Sequence, residues 1–107
     1  MSQTTVVNLR KESYDVYIGR RRKEKFHYGN PFTHHIHSCA KVLVHSREES
    51  ILAFSHWLKG DYMPEIEPDR RVWILANLKE LKGKRLGCFC KPKACHGDVL
   101  AELADVS

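Results

Sequence analysis

Three of the four cysteines lie within eight residues near the end of the chain, and this cluster constrains the fold more than any other feature. They are Cys88, Cys90 and Cys95, and His96 follows directly. A small secreted domain spreads its cysteines to tie loops together, so this clustering argues against a disulfide framework. It favours a metal site, thiol chemistry or tight packing.

The sequence around the cluster predicts a strand, a turn and a helix. Arg85 to Cys90 is the predicted strand, and its period of two places the thiols of Cys88 and Cys90 on one face. Lys91-Pro92-Lys93 forms the turn, and Val99, Leu100, Leu103 and Ala104 mark a terminal helix. Cys95 and His96 then begin this helix, where unpaired amides and the helix dipole lower the pKa of a thiol.

Length and composition predict one small α/β domain over residues 1–107. The chain has 107 residues, 42% of them hydrophobic, and a formal net charge of +5. No window approaches the roughly 20 apolar residues of a membrane span, and the first residues lack the layout of a secretion signal, so we expect a cytoplasmic protein with no membrane contact. The basic excess suits a nucleotide, a nucleic acid or an acidic protein partner.

The N-terminal third predicts a β-hairpin followed by a basic loop. Thr5 to Arg10 and Tyr14 to Ile18 have strand-like composition, separated by a short polar stretch. Arg20 to Lys25 has no apolar period, and Phe26 and Tyr28 after it could stack on bases. Thr33 to Val44 gives equal strand and helix signals and contains His34, His35, His37 and Cys39. Their role is left open, between metal ligands and surface histidines.

Two helices follow. Ser46 and Glu49 form a capping box before a helix from Arg47 to Lys59, which Gly60 ends. Pro68-Asp69 opens a second helix that ends at Gly83, with one apolar face made by Val72, Leu75, Leu78 and Leu81. The element order predicts a mixed sheet with an N-terminal hairpin, flanking helices and the last strand inside the sheet. Trp57 and Trp73 are expected in the core or at its rim.

The cysteine cluster allows three interpretations. Zinc could be held by Cys88, Cys90, Cys95 and His96, although adjacent ligands such as Cys95 and His96 are geometrically awkward. Alternatively, a reactive Cys95 thiolate could begin the helix, with His96 as acid or base toward an anionic ligand. In the third, the cysteines are small hydrophobes in a tight core. Asp98 is expected to complement the positive end of the last helix.

A group of polar and aromatic residues could form a ligand pocket beside the cluster. Amide, guanidinium and aromatic groups together suit a nucleotide or the end of a nucleic acid. The alternative is that the turn residues only fix the backbone and that the arginines are solvated. The candidate ligand-binding residues are Asn8, Arg10, Tyr17, Gly19, Arg20, Asn30, Pro31 and Phe32.

Several of these residues belong to a pattern that resembles a known family. The pattern includes Val7-Asn8-Leu9-Arg10, Tyr17-Ile18-Gly19-Arg20, Gly29-Asn30-Pro31-Phe32 and the closing segment from Gly87 to Leu100, which contains Gly-Cys-x-Cys-x-Pro-x-x-Cys-His-Gly-Asp. It is similar to a family of small phage and bacterial domains of unknown function. The resemblance implies an α/β fold and assigns no reaction.

The sequence thus supports three functional hypotheses. The first is a phage-type domain that recognises a phosphate-bearing ligand, nucleotide or nucleic acid, beside a cysteine and histidine site that holds a metal ion, with zinc as the candidate. The second is an enzyme that uses a cysteine thiolate on a nucleotide-like substrate. The third is a host-directed protein-binding module in which the cluster is structural.

Overall fold

The last strand of the chain forms the middle of the main sheet. In the computed structural model, which describes residues 3–21, 23–34 and 42–106, β1 (Thr5–Asn8) and β2 (Val16–Tyr17) flank β5 (Arg85–Cys88) in the order β1-β5-β2. Leu86 faces Val6 on one side and Val16 on the other. Residues 86–88 are all buried, as expected for a central strand covered on both faces. The α/β prediction with the last strand inside the sheet is confirmed.

The predicted N-terminal hairpin is wrong. Both β1 and β2 run parallel to β5, so the two do not run antiparallel and neither pairs with the other. Leu9 N donates to Cys88 O (3.0 Å) at the carboxyl end of β5, and Asp15 N donates to Arg85 O (2.8 Å) at its amino end, so the chain between β1 and β2 returns along the length of β5. Every strand pairing in the described residues is parallel, so the predicted mixed sheet is also wrong.

Helix α1 (Arg47–Lys59) has the predicted bounds. The Ser46 hydroxyl accepts from the amide of Glu49 at 3.1 Å, and Gly60 ends the helix with a φ of 87°. This left-handed conformation favours glycine, which has no Cβ to clash. The buried face of α1 carries Phe54, Trp57 and Leu58 into the core. The prediction for Trp57 is therefore confirmed.

The second predicted helix divides into two. Helix α2 (Pro68–Ala76) ends at Asn77, and a 3₁₀ helix (Leu78–Leu81) follows. The predicted apolar face is correct only in its second half, because Leu78 and Leu81 are buried whereas Val72 is 60% and Leu75 is 39% exposed. Instead, α2 buries Ile74 and Arg70. Trp73 lies at the core rim, packed against the core cluster.

A second, two-stranded sheet and the terminal helix complete the fold. β3 (Phe32–Thr33) pairs in parallel with β4 (Val42–Leu43) and packs against α1. Helix α3 (His96–Asp105) packs against α1, β1 and the 3₁₀ helix and contributes Leu100 and Ala104 to the core. The predicted residues His35, His37 and Cys39 lie outside the described residues.

None of the helices in the described ranges is long and apolar enough to cross a bilayer.

Candidate functional site

The thiols of Cys88, Cys90 and Cys95 converge at the carboxyl end of β5, and we call these three residues the cysteine corner. Sγ of Cys88 lies 3.5 Å from Sγ of Cys95, and both thiols act on the ionisation of the neighbouring Cys90 thiol. The strand ends at Cys88, two residues earlier than predicted, and Phe89 projects outward with 52% exposure. The predicted alternation and the turn at Lys91–Lys93 therefore bring the sulfurs together.

Cys95 is the N-cap residue of α3. Its Sγ accepts from Gly97 N at 3.3 Å, and Oδ2 of Asp98 accepts from Cys95 N at 3.2 Å, which completes a capping box. Asp98 thus lies in the first helical turn, as predicted, and it also accepts from Lys91 Nζ at 3.0 Å. The sequence interpretation missed the box because cysteine is not among the usual N-cap residues.

The protonation of the cysteine corner differs from the sequence prediction. Hydrogen bonds from the thiols of Cys88 and Cys95, together with the Arg47 guanidinium, hold the pKa of Cys90 well below its usual range. Hydrogen bonding to Cys88 and Cys90, together with burial, raises the pKa of Cys95. The lowered pKa favours the thiolate form at Cys90, which is partly exposed, whereas Cys95 is 3% exposed; a catalytic role for Cys95 stays a prediction.

His96 anchors the start of α3 to two distant segments. Its Nε2 lies 2.8 Å from Ile18 O and 3.1 Å from Tyr28 O, so this nitrogen carries the proton and donates. Burial lowers the pKa of the imidazole, which is therefore neutral near pH 7. Phe54 packs edge-on against the ring. The predicted role of His96 as acid or base does not suit a nitrogen that is committed to two carbonyl groups.

The four predicted zinc ligands do not fit a tetrahedral structural site. No group of three or more His, Cys, Asp or Glu side chains within residues 3–21, 23–34 and 42–106 is arranged to hold a metal ion. Nε2 of His96 donates to carbonyl oxygens, and a nitrogen that carries a proton cannot bind a cation. Zinc binding by Cys88, Cys90, Cys95 and His96 stays a prediction.

A cavity of about 290 Å³ opens beside the cysteine corner, and we call it the cysteine cavity. It brings together five of the eight predicted ligand-binding residues, namely Tyr17, Gly19, Arg20, Asn30 and Phe32. Cys90, Cys95 and His96 form another part of its wall, and Arg47, Phe89 and His34 also line it. The predicted juxtaposition of these segments is therefore present, while ligand binding by them stays a prediction.

The other three predicted ligand-binding residues lie outside the cavity wall and have structural contacts. Asn8 donates to Lys91 O at 2.7 Å and accepts from Arg10 N at 2.9 Å, which holds the turn after β5 against the turn after β1. The Arg10 guanidinium lies 5.0 Å from the centroid of the Phe89 ring. Pro31 is fully buried. Structural packing accounts for the positions of these three residues.

Comparison with known proteins places the chain in a family. The family described as "Domain of unknown function (DUF4326)" matches residues 3–106. The chain belongs to this family. A similar protein, "Uncharacterized 12.4 kDa protein in nrdA-td intergenic region" of Enterobacteria phage T4, is 35% identical over 100 residues, which cover 94% of this chain and 76% of that protein. No solved structure matches the chain.

These findings confirm the predicted membership of a phage and bacterial family of unknown function. The specific closing motif as the family signature stays a prediction. The family description names no ligand and no reaction for the DUF4326 domain.

Sequence interpretation missed a buried ion-pair cluster beneath the cavity of the DUF4326 domain. Glu67 accepts from Arg70 Nε at 2.9 Å and from Arg20 Nη1 at 3.3 Å. Burial opposes ionisation of Glu67, but the hydrogen bonds from Arg70 and Arg20 outweigh it and hold the pKa of the carboxyl below its usual value. Arg20 is therefore held in place by Glu67, and it also donates to Asn30 O at 3.4 Å.

Arg47 is a second residue of the DUF4326 domain that the sequence interpretation missed as part of the site. It is the first residue of α1; it donates to Ala94 O at 3.2 Å, lines the same cavity as Cys90, and its positive charge lowers the pKa of the Cys90 thiol. A cation in the first turn of a helix is disfavoured by the helix dipole, so its presence there was the signal that could have found it.

Asn30 contributes its amide to the scaffold. Its Nδ2 donates to Ser50 Oγ at 2.8 Å and to Ser50 O at 3.1 Å, while its Oδ1 accepts from Phe32 N at 2.9 Å. The amide therefore joins the corner at residues 30–32 to α1. These hydrogen bonds hold this part of the cavity wall against α1. Arg47 and Cys90 supply a guanidinium and a thiol to the same wall.

Proposed function

We propose that the domain binds a small phosphate-bearing ligand of the nucleotide type in the cysteine cavity and that the Cys90 thiolate reacts with it. One observation carries this proposal: Cys90 lies in the cavity wall with its negative charge stabilised by two thiols and by Arg47. A thiolate, and not a thiol, is the nucleophilic form of cysteine. Cys88 and Cys95 are 4% and 3% exposed, so Cys90 is the most accessible of the three thiols to a ligand in the cavity.

The wall of the cavity supports the ligand class. Arg47 and Arg20 supply guanidinium groups, which bind phosphate through paired hydrogen bonds. Tyr17, Phe32 and Phe89 supply aromatic surface for a base or another flat ring. The cavity volume of about 290 Å³ is at the lower limit of small-molecule sites, about 300 Å³, so the ligand is small or enters by one end.

The proposed step is nucleophilic substitution at carbon. Sγ of Cys90 forms a bond to an electrophilic carbon of the ligand, while the bond from this carbon to its leaving group breaks and the leaving group departs with the electron pair. Water then adds its hydroxyl to the same carbon, the sulfur–carbon bond breaks, and a proton is released to solvent. Arg47 stabilises the returning thiolate through its hydrogen bond to Cys90.

The reactivity of Cys90 tests the proposal directly. Untagged protein is alkylated with iodoacetamide between pH 5.5 and 9, and each cysteine peptide is quantified by mass spectrometry. We expect the Cys90 rate to be nearly constant above pH 6, because the thiolate is already formed, and we expect Cys88 and Cys95 to react at least tenfold more slowly. A Cys90 rate that rises about tenfold per pH unit up to pH 8 contradicts the proposal.

The same samples are analysed for metal. About one equivalent of zinc that is lost on Cys90→Ser, with alkylation blocked until the metal is removed, would replace the thiolate proposal with the metal interpretation.

Ligand protection tests the second half of the proposal. Thymidine monophosphate is titrated by calorimetry and into the alkylation assay, and we expect it to slow labelling of Cys90. Arg47→Met should weaken this binding at least tenfold because it removes the cation beside Cys90. Lys59→Met is the matched control, since it removes an exposed cation at the other end of α1 and should leave binding within about twofold. Equal affinity of the two variants would refute the role of Arg47.

A further inference from the structure

A second cavity of about 370 Å³ shares a wall with the cysteine cavity. Tyr17 lines both, and the second cavity also has Phe26, Tyr28 and Trp73 in its wall. We call it the Trp73 cavity. It lies at the end of the basic loop. Phe26 and Tyr28, which follow this loop, have no role in the proposed function. A ligand that occupies the cysteine cavity can therefore extend past Tyr17 onto a second aromatic surface.

The Trp73 cavity contains a preformed aromatic stack. The rings of Phe26 and Trp73 are 5.8 Å apart and 26° from parallel, and Tyr28 lies 4.9 Å from Trp73. Tyr28 is fixed because its hydroxyl donates to Asn77 O at 3.1 Å. Phe26 remains 42% exposed, so this side chain offers aromatic surface to a further ring. Stacking on aromatic side chains is tolerant of base identity.

The Trp73 cavity has an arginine in its wall, Arg21, which lies beside Tyr17, the residue that both cavities share. The Arg21 guanidinium lies 5.3 Å from the Tyr17 ring centroid and forms an ion pair with Glu24 at 3.5 Å, in which both side chains are about half exposed. Exposed pairs of this kind are weak and exchange readily with another anion. Asp15, the other carboxylate of the wall, is bound by Arg85. Arg21 is therefore available to a phosphate that passes Tyr17.

His27 adds no charge to this cavity at neutral pH. Burial and the neighbouring Arg70 and Arg20 lower its pKa to about 4. Its Nδ1 accepts a hydrogen bond from Gly29 N at 3.1 Å, which requires that nitrogen to be unprotonated. The wall thus combines a flat aromatic surface, a neutral imidazole, the Arg21 cation, and the carboxylates of Asp15 and Glu24, each paired with an arginine.

We infer that the Trp73 cavity is a second subsite, which stacks the base of a second nucleotide while Arg21 contacts the phosphate that links it to the nucleotide in the cysteine cavity. This inference rests on the proposed function and extends it from one nucleotide to two linked nucleotides. Two linked nucleotides occur as a free dinucleotide and as the end of a single strand, and both present the same chemistry to the two cavities.

Calorimetry with thymidine monophosphate and with the dinucleotide pTpT tests the second subsite. We expect pTpT to bind at least tenfold more tightly than thymidine monophosphate, because its second base adds about one stacking interaction. The Phe26→Ala variant should reduce this ratio of affinities towards one. Val72→Ala is the matched control, because Val72 is a 60% exposed apolar residue on the same helix as Trp73, outside the Trp73 cavity wall, and should preserve the ratio. Circular dichroism confirms that both variants fold.

The outcomes separate the two proposals. If thymidine monophosphate protects Cys90 but pTpT binds no more tightly, or if Phe26→Ala preserves the ratio, the second subsite is refuted and the proposed function stands. If neither compound binds or protects Cys90, both fail together. A ten-nucleotide oligothymidine that binds no more tightly than pTpT identifies the ligand as a dinucleotide, whereas a further gain identifies the end of a single strand.

Discussion

Helices α1 and α3 begin beside the same cavity, with the same backbone geometry and different capping atoms. Ser46 has φ −150° and ψ 165°, and Cys95 has φ −151° and ψ 172°. In each case the side chain of the N-cap residue accepts a hydrogen bond from the first turn, and an acidic residue stands three positions later, Glu49 or Asp98. The oxygen of serine is a strong acceptor, whereas sulfur is a weak one.

The difference shows that the two helix starts serve different purposes. Helix α1 is capped by a good acceptor at the surface, and its first residue, Arg47, reaches across the cavity to Ala94 O and Cys90. Helix α3 is capped by a buried thiol that also contacts the other two sulfurs, and its first residue, His96, reaches inward to Ile18 O. The N-cap side chain of α1 therefore caps its own helix, whereas the N-cap residue of α3 also joins the cluster of sulfur atoms.

Substitution of the second residue of each helix should give the largest difference in stability between α1 and α3. A Cβ at Gly97 would lie 2.5 Å from Ile18 Cδ1 and 3.1 Å from Val6 Cγ1, so Gly97→Ala should cost up to about 3 kcal/mol of unfolding free energy. The equivalent residue of α1 is Glu48, which is exposed, and Glu48→Ala should cost less than about 0.5 kcal/mol. Urea unfolding measures both, and similar losses would mean that the start of α3 is not tightly packed.

Acid should destabilise the segments that meet the start of α3 more than α1 itself. The folded pKa of His27, about 4, lies below its unfolded value of 6.5, so the unfolded chain takes up the proton first. The stability from this group is complete above about pH 6.5 and is lost as pH falls towards 4, a loss of about 2 kcal/mol. The lowered pKa of His96 acts in the same direction.

Urea unfolding at pH 7 and pH 4.5 measures this loss, and His27→Gln should reduce it. The control is His56→Gln, because the imidazole of His56 in α1 is 44% exposed; this variant should keep the full loss. Equal stability of the unmodified protein at the two pH values would contradict the assignment of His27 as a neutral, buried residue.

The two N-cap residues should respond differently to loss or exchange of the capping atom. Ser46→Ala removes the acceptor for Glu49 N and should cost about 1 kcal/mol. Cys95→Ser replaces sulfur by a better acceptor that still meets Gly97 N, so its effect should be smaller, about 0.5 kcal/mol. Thermal unfolding compares them. A larger loss for Cys95→Ser would show that sulfur packing outweighs capping at α3.

Helix α1 could be predicted from the sequence because its signals are local. A serine cap, helical spacing of apolar residues and Gly60 all lie within fifteen residues of one another. The sheet could not be predicted in the same way, because β1 and β2 pair with β5, which lies about 70 to 80 residues further along the chain. The composition of a strand does not show whether it runs parallel or antiparallel to its partner. Two strands joined by a short connection therefore predict a hairpin.

The candidate site was predictable where geometry follows from short spacing. Alternation along the last strand and a proline turn were sufficient to bring the three sulfurs together. These local patterns did not identify the charged partners of Cys90 and Arg20. Arg47, which acts on Cys90, belongs to another helix, and Glu67 is 47 residues away from Arg20 in the sequence. Arg70 is 1% exposed. Its buried charge is stabilised by tertiary contacts such as the hydrogen bond from its Nη1 to His27 O, which the sequence does not reveal.

The central position of β5 also determines when the fold can form during synthesis. The ribosome produces β1 and β2 first, and both must wait with unpaired edges until Arg85–Cys88 emerges. Helix α1 can begin to form earlier because its hydrogen bonds are local. The nascent domain therefore assembles its main sheet only after Arg85–Cys88 has been synthesised, in one late step that also creates the cavity.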